Sequence, residues 1–319
     1  MILAILLYLF SARHDYHNPK KPTVILSVTK DKFSIIRSAH EIYAVSPDGS
    51  GEIHFPLANK MEEPQWSPDR CWIIFSTRFS ETSHAGGNSE IYLMPHTGEY
   101  TILVTNNLHN DYAPSWSPDG KRIVYHSYSA TEGSGIYLMD LTCLLEGEDC
   151  QPQSQFVVKG LIPEWSPVSN EILVTRRYTE KSRLFIYDLE TQKQYELGES
   201  KEQDAVWSPD GKKISYADRN LNTVVVMNKD GSNKDTPVPG EAYTFNPSWS
   251  PDGKHLLFLS YRDGFGKPFA YSGTSGSTPT SGLFSLELST GEITQLSAYT
   301  NELVKWYAWY PGLPENLCK

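Results

Sequence analysis

The sequence predicts an all-β protein, a six-bladed β-propeller of four-stranded antiparallel blades that is closed by N- and C-terminal strands sharing one blade. Three observations predict this fold. A tryptophan motif recurs along the chain, short segments alternate polar and apolar residues with a period of two, and Gly and Pro turns separate these segments. The motif tryptophans are Trp66, Trp116, Trp165, Trp207, Trp249 and, in a degenerate copy, Trp309.

Each repeat is predicted to hold four strands. The first ends at the tryptophan, and Ser-Pro-Asp-Gly then forms a turn because Pro fixes φ, Asp bonds back to the chain and Gly accepts positive φ. Residues 122–127 are an example of the second strand and residues 135–139 of the third, and a second Gly turn precedes the fourth. A helical solenoid is excluded because the period is two rather than about 3.6. We expect each tryptophan to be structural, packing as a wedge between blades.

The two ends of the chain are predicted to build the sixth blade together. Its first strand ends at Trp309, while residues 32–38, 41–50 and 51–57 match the second, third and fourth strands. Such sharing closes a propeller and leaves no free edge. The predicted domains are therefore an apolar segment plus linker at 1–31, the propeller at 32–312 and a tail at 313–319.

The first ten residues, MILAILLYLF, are strongly apolar. They are too few to cross a bilayer, which takes about 20 residues, and they resemble the core of a truncated signal peptide or membrane anchor. The alternative is a buried N-terminal strand. Signal-like character predicts an extracytoplasmic protein, whether periplasmic, cell-surface or secreted, with a membrane tether through the N-terminus as an option.

The four cysteines carry one spacing signal. Cys143 and Cys150 bracket the short polar insertion LLEGED, so they are a candidate disulfide, which would suit export; two free thiols are the alternative. Cys71 and Cys318 give no such signal. No His or further Cys lies at ligand spacing nearby, so we expect no metal and no cofactor.

Charge argues against one class of partner. The formal net charge is −10 at pH 7, and an acidic surface repels the phosphate backbone of nucleic acids. The expected partner is instead a protein, a peptide or a glycan, bound by a monomer.

The repeat pattern WSPDGK…I…S…IYLMD…G resembles that of the TolB-type propeller, called PD40 or WD40-like, over about residues 32–312. It departs from true WD40 repeats, which end a strand with Trp-Asp and carry a Gly-His pair. The resemblance implies the propeller fold and an exported bacterial repeat protein. It implies little about the ligand, because one scaffold hosts many unrelated functions.

Candidate binding residues follow from comparing the blades. The long, varied loops lie on the face opposite the Trp-Ser-Pro-Asp turns, and binding residues concentrate in such loops. The position just after each second strand is rich in Arg and Tyr, the side chains enriched at interaction hot spots. The alternative is that these residues pair with acidic neighbours such as Asp218 and Asp263. The candidates are Arg78, Tyr128, Arg177, Arg219 and Tyr261, together with Arg262, Tyr112 and Tyr243 on the same face.

The predicted function is non-enzymatic binding or scaffolding on this loop-rich face. The alternative is a hydrolase or lyase acting on glycan or peptide at the channel mouth, which needs carboxylates or histidine there. Of the two residues that precede each tryptophan, Glu164 alone is acidic, so no catalytic residue is assigned. A calcium-binding channel is a third hypothesis, and it needs several converging oxygens.

Overall fold

The computed structural model describes residues 23–30, 40–45, 53–55, 61–77, 88–129, 133–177, 182–200, 202–238, 243–260, 282–295, 302–310 and 318. Statements below concern these residues. The sequence is built into antiparallel sheets of the propeller type, as predicted.

Five sheets follow one another along the chain and are called blades 1 to 5. Blade 1 holds β4 (Met61–Trp66), β5 (Trp72–Thr77), β6 (Glu90–Pro95) and β7 (Ile102–Leu103), and blade 2 holds β8 (Asn110–Trp116), β9 (Arg122–Ser129), β10 (Gly133–Asp140) and β11 (Ser154–Val158). Blade 3 holds β12 (Leu161–Trp165), β13 (Glu171–Arg177), β14 (Ser182–Asp188) and β15 (Gln194–Ser200). Blade 4 holds β16 (Glu202–Trp207), β17 (Lys213–Asp218) and β18 (Thr223–Asn228), and blade 5 holds β19 (Thr244–Trp249), β20 (His255–Ser260), β21 (Gly282–Glu287) and β22 (Ile293–Gln295).

A further sheet, the terminal sheet, combines strands from both ends of the chain. Its order is β23 (Glu302–Tyr310), β1 (Thr23–Lys30), β2 (His40–Val45) and β3 (Ile53–Phe55). The second strand therefore lies at Thr23–Lys30, N-terminal to the predicted 32–38, a segment outside the described residues. Residues 23–30 pair with β2 and, with one register shift between Ser27 and Val28, with β23, whereas the prediction had placed residues 1–31 in an apolar segment plus linker.

The apolar core lies between neighbouring blades rather than within one of them. Each motif tryptophan of blades 2 to 5 is buried in a cluster formed with the preceding blade. Trp165, for example, packs with Val124 and Ile136 of blade 2. Sheets packed face to face bury both facing surfaces, so each large indole removes apolar area from water on two blades at once. The tryptophans in these four interfaces are Trp116, Trp165, Trp207 and Trp249, while Trp66 is half-buried and Trp309 lies on β23.

The Ser-Pro-Asp-Gly turns are fixed by local hydrogen bonds. In blade 2, the Ser117 hydroxyl and the Lys121 N–H both donate to Asp119 Oδ1, at 2.5 and 3.1 Å. Blades 1, 4 and 5 repeat the arrangement. These bonds lower the pKa of Asp119 against the cost of its burial. The motif aspartates therefore serve the turns.

Blade 4 differs from the predicted four strands. Its outer segment makes a single bridge, between Val226 and Asp235, rather than a strand. The next hydrogen-bonded pair along this ladder would place Pro237 opposite Val224. Proline has no N–H to donate, so the ladder stops there.

Two disulfides join the described cysteines. Cys143 pairs with Cys150 across the insertion after β10, which also contains a short helix, α1 (Thr142–Leu145). Cys71 pairs with Cys318, a bond that no spacing signal had predicted. This second bond ties the turn between β4 and β5 to the segment that follows β23.

Within the described part of the chain, no helix has the length and apolar character needed to cross a membrane.

A candidate binding cavity in the central channel

The inner strands of blades 1 to 5 line a cavity of about 370 Å³. Its wall is formed by the last residues of each inner strand, and it extends to Pro167 and Pro209 in the turns that follow two motif tryptophans. The cavity therefore reaches the face that carries the Trp-Ser-Pro turns, opposite the loop-rich face. Pockets of this size, with apolar walls and a few polar groups, are typical ligand sites.

A bulge in every inner strand shapes this wall. The residue three positions before each tryptophan has positive φ, and the pairing with the second strand is interrupted there. Positive φ costs free energy for residues other than Gly, most of all for β-branched ones, so a repeated bulge indicates a conformation that the surrounding sheet imposes. The bulge residues are Glu63, Ala113, Ile162, Asp204 and Asn246, with φ between 46 and 53°.

Glu63 is held by the bulge of the next blade. The Ala113 N–H donates to its Oε2, at 2.5 Å, and the Ser76 hydroxyl donates to the same oxygen at 3.0 Å. Burial raises the pKa of Glu63 to about 7, and these hydrogen bonds only partly offset it. The negative charge of Asp204 adds to the rise.

Glu164 takes part in a contact across the channel. The Gln65 Nε2 of blade 1 donates to Glu164 Oε2 of blade 3 at 2.9 Å, although blade 2 lies between these blades in chain order. The Glu164 carbonyl accepts from the Trp207 Nε1 at 3.1 Å, which fixes the backbone beside it. Burial raises the pKa of Glu164 to about 7, against hydrogen bonds from Gln65 and Ser115.

Asp204 is the third carboxyl of the cavity. Burial raises its pKa to about 6, while the positive charge of Arg219 acts in the opposite direction. Three carboxyls from blades 1, 3 and 4 thus share one cavity, and two of them repel each other. Like charges in a poorly solvated space favour protonation or a bound cation.

The described residues among those predicted for the loop-rich face do not line this cavity. Tyr128 is exposed at the end of β9, and Tyr112 lies against the His126 ring at 5.8 Å. Tyr243 stacks on Phe245 at 5.4 Å, and Arg219 is exposed but acts on Asp204. Arg177 ends β13. The remaining candidates, Arg78, Tyr261 and Arg262, lie outside the described residues.

Sequence reasoning noted Glu164 as the one acidic residue directly before a tryptophan but assigned it no role, and it missed Glu63 and Asp204. It compared the two positions before each tryptophan, whereas Glu63 and Asp204 lie one position earlier. A Pro that follows the bulge residue in four blades was the available signal, because Pro cannot continue a ladder and favours a bulge.

A shared metal ion does not follow from these carboxyls. Across the residues that the structure describes, no group of three or more His, Cys, Asp or Glu side chains is placed to hold a metal. The carboxyls are therefore distributed along the wall rather than converging on one point.

Comparisons with known proteins support the fold. A protein TolB homolog from Chlorobaculum tepidum is 26% identical over 113 residues, which are 35% of this chain and 25% of that protein. The solved TolB of Acinetobacter baumannii superimposes with a TM-score of 0.69 at 19% identity, covering 90% of this chain and 66% of that one. A chain of a nidogen/laminin complex gives a TM-score of 0.65 at 8% identity, covering 90% and 98%.

The chain thus spans a quarter of the curated relative and just under two thirds of the solved TolB. A family model described as eukaryotic translation initiation factor eIF2A matches residues 126–261, less than half of the chain. That segment consists of propeller repeats from blades 2 to 5, so the match reflects the shared fold.

Proposed function

We propose that this chain, a TolB-like β-propeller, is a non-enzymatic binding module whose channel cavity receives a peptide segment. The observation that carries the proposal is the cavity itself, which five blades line with apolar walls and three carboxyls. Ligands bind preferentially in concave sites that combine apolar walls with a few fixed polar groups. The turn face is thus the proposed entrance, in place of the loop-rich face that the sequence favoured.

We further propose that the terminal sheet is a sixth blade that closes the ring. Its strand β23 contacts β4 of blade 1 and β19 of blade 5, the two positions that a closing blade must reach. The Cys71–Cys318 disulfide supports the first of these junctions covalently. A closed ring would keep the cavity wall rigid, which reduces the entropic cost of binding.

An extracytoplasmic location is proposed from the cysteines. All four are in disulfides, and such bonds persist in oxidising compartments such as the periplasm or the cell surface. Peptide segments of envelope proteins would then be the available ligands. The Arg and Tyr residues of the loop-rich face, including Tyr128 and Arg219, remain a proposed second contact surface.

Fluorescence anisotropy with a library of labelled hexapeptides tests peptide binding. Ser248 lines the cavity, so Ser248→Trp fills it, and Ser289→Trp places the same side chain on an exposed turn as the matched control. We expect peptides that bind the wild type and Ser289→Trp to bind Ser248→Trp at least about tenfold more weakly, a loss of about 1.4 kcal/mol. Equal binding to all three proteins would remove the cavity as the site.

One observation favours an enzyme as the second candidate. The pKa values of Glu63 and Glu164, both about 7, suit general acid or base catalysis near neutral pH. Chromogenic glycoside and peptide substrates test this candidate. Turnover that is lost in Glu164→Gln and kept in the exposed-residue variant Glu148→Gln would favour it over binding alone.

A further inference from the structure

We infer that the channel cavity selects a peptide segment that carries a protonated amine or guanidinium group, with a backbone carbonyl beside it. This inference rests on the proposed function and names the ligand class of the same site. It is argued from the charges, the donors and the dimensions of the cavity.

The first step concerns charge. The cavity wall contains Glu63, Glu164 and Asp204, and no Lys, Arg or His is among its described lining residues. Arg219 is not part of the described lining, but its positive charge favours the ionised form of Asp204. Glu63 accepts hydrogen bonds from a backbone N–H and a hydroxyl, and Glu164 accepts one from an amide, so these donors are neutral. Carboxylates in a poorly solvated site are stabilised best by a cation that also donates hydrogen bonds. A Lys or Arg side chain of a ligand supplies both.

The second step concerns a donor that lacks an acceptor. Trp249 lines the cavity and is 8% exposed, and its Nε1 has no hydrogen-bond partner among the described residues. The equivalent indole N–H groups of Trp207 and Trp165 each donate to a backbone carbonyl, at 3.1 Å. The Trp116 Nε1 also has no partner among the described residues, but Trp116 does not line the cavity. A buried N–H without an acceptor costs free energy. A ligand carbonyl next to the cationic group would satisfy it.

The third step concerns size and spread. The cavity volume of about 370 Å³ lies near the lower end of the range for ligand sites, roughly 300–1,000 Å³, which suits a short peptide segment. The described acidic groups are not clustered tightly enough for one metal ion. An extended ligand that presents its cation to one carboxyl and its backbone to other wall groups matches this arrangement better than a point charge. An acidic ligand would be repelled.

Isothermal titration calorimetry at pH 8 with four acetylated, amidated pentapeptides tests the inference. They share the sequence Gly-Gly-X-Gly-Gly, with X as Lys, Arg, norleucine or Glu. We expect the Lys and Arg peptides to bind, the norleucine peptide to bind at least about tenfold more weakly, and the Glu peptide to give no saturable heat. Equal affinity for Lys and norleucine would overturn the inference.

Variants locate the effect. Glu164→Gln and Asp204→Asn should each weaken binding of the Lys peptide about tenfold, whereas the exposed-residue control Glu148→Gln, with the same change of charge, should alter it less than about twofold. Trp249→Phe keeps a large ring and removes the N–H, so it should weaken the Lys and norleucine peptides alike, by about three- to tenfold. Circular dichroism checks that each variant is folded. Glu63→Gln takes the place of Glu164→Gln or Asp204→Asn if either of these is not folded.

The outcomes separate this inference from the proposed function. If norleucine and Lys peptides bind equally and Ser248→Trp abolishes both, the channel binds peptides and the charge preference is wrong. If no library peptide distinguishes Ser248→Trp from wild type, both proposals fail. Calcium chloride titrated alone into the wild type should give no saturable heat. A saturable heat that disappears in Glu164→Gln would identify a metal site and overturn the inference.

Discussion

Removing the Cys71–Cys318 disulfide should destabilise the protein far more than removing the Cys143–Cys150 disulfide. The two bonds differ in the length of chain that they close, 247 against 7 residues of sequence separation. In the chain-entropy description, a cross-link restricts the unfolded chain more when its loop is longer. That description gives about 5.5 kcal/mol for the long loop and about 2.4 kcal/mol for the short one at 25 °C.

Differential scanning calorimetry of two double variants measures the difference. For a chain of 319 residues, an unfolding entropy of about 2.1 cal/mol/K per residue converts these free energies into falls in Tm of about 8 and about 4 °C. The variants are Cys71→Ser/Cys318→Ser and Cys143→Ser/Cys150→Ser, both scanned without reductant. The second is the control, because it removes a disulfide and leaves the terminal sheet tied to blade 1.

A smaller fall for Cys71→Ser/Cys318→Ser than for the control would refute the reasoning. It would mean that residues 71 and 318 stay close in the unfolded ensemble, or that the segment after β23 unfolds separately from the blades. Reductant added to the wild type should lower Tm at least as far as the larger of the two variant effects, because it breaks both bonds.

Three further predictions follow from burial and backbone geometry. The free energy of unfolding, measured with urea, should fall as pH rises from about 4.5 to about 7. Glu63 and Glu164 have folded-state pKa values raised to about 7, so both bind protons more tightly when folded. His126, whose pKa burial lowers to about 4, has the opposite effect, but it is one group against two. A flat or rising profile would contradict it. Gly211→Ala should lower the free energy of unfolding by about 1–2 kcal/mol, because φ is 67° and the new Cβ would lie 2.4 Å from Val168 Cγ2. Adding Val168→Ala should recover part of this loss. An unchanged free energy of unfolding in Gly211→Ala would show that the turn adjusts. Trp165→Ala should cost about 3–5 kcal/mol in the same assay, and a loss below about 1 kcal/mol would argue against the wedge role.

The propeller fold could be predicted because its signals are local. The turn after Trp116 is specified by Ser117, Asp119 and Gly120, which supply the hydrogen bonds and the positive φ that the turn needs. Each such turn sets the register of two strands, and repetition sets their stacking. Prediction failed where a local signal was weak. The N-terminal strand Thr23–Lys30 has no turn motif beside it. In blade 4, the glycine turn after β18 predicted a fourth strand, but Pro237 stops the pairing after the single bridge between Val226 and Asp235.

The channel chemistry could not be predicted in the same way, because it depends on a contact between residues far apart in sequence. Gln65 and Glu164 meet across 99 residues, and nothing near either one specifies the other. What the repeat does fix is a backbone bulge before each tryptophan, and the side chain at that bulge is free to vary: Glu63, Ile162 and Asp204 share one conformation and differ in chemistry. Under the proposed function, the bulge position is where the blades can differ in what they offer a ligand, and the loss of Lys-peptide binding expected for Asp204→Asn tests this directly.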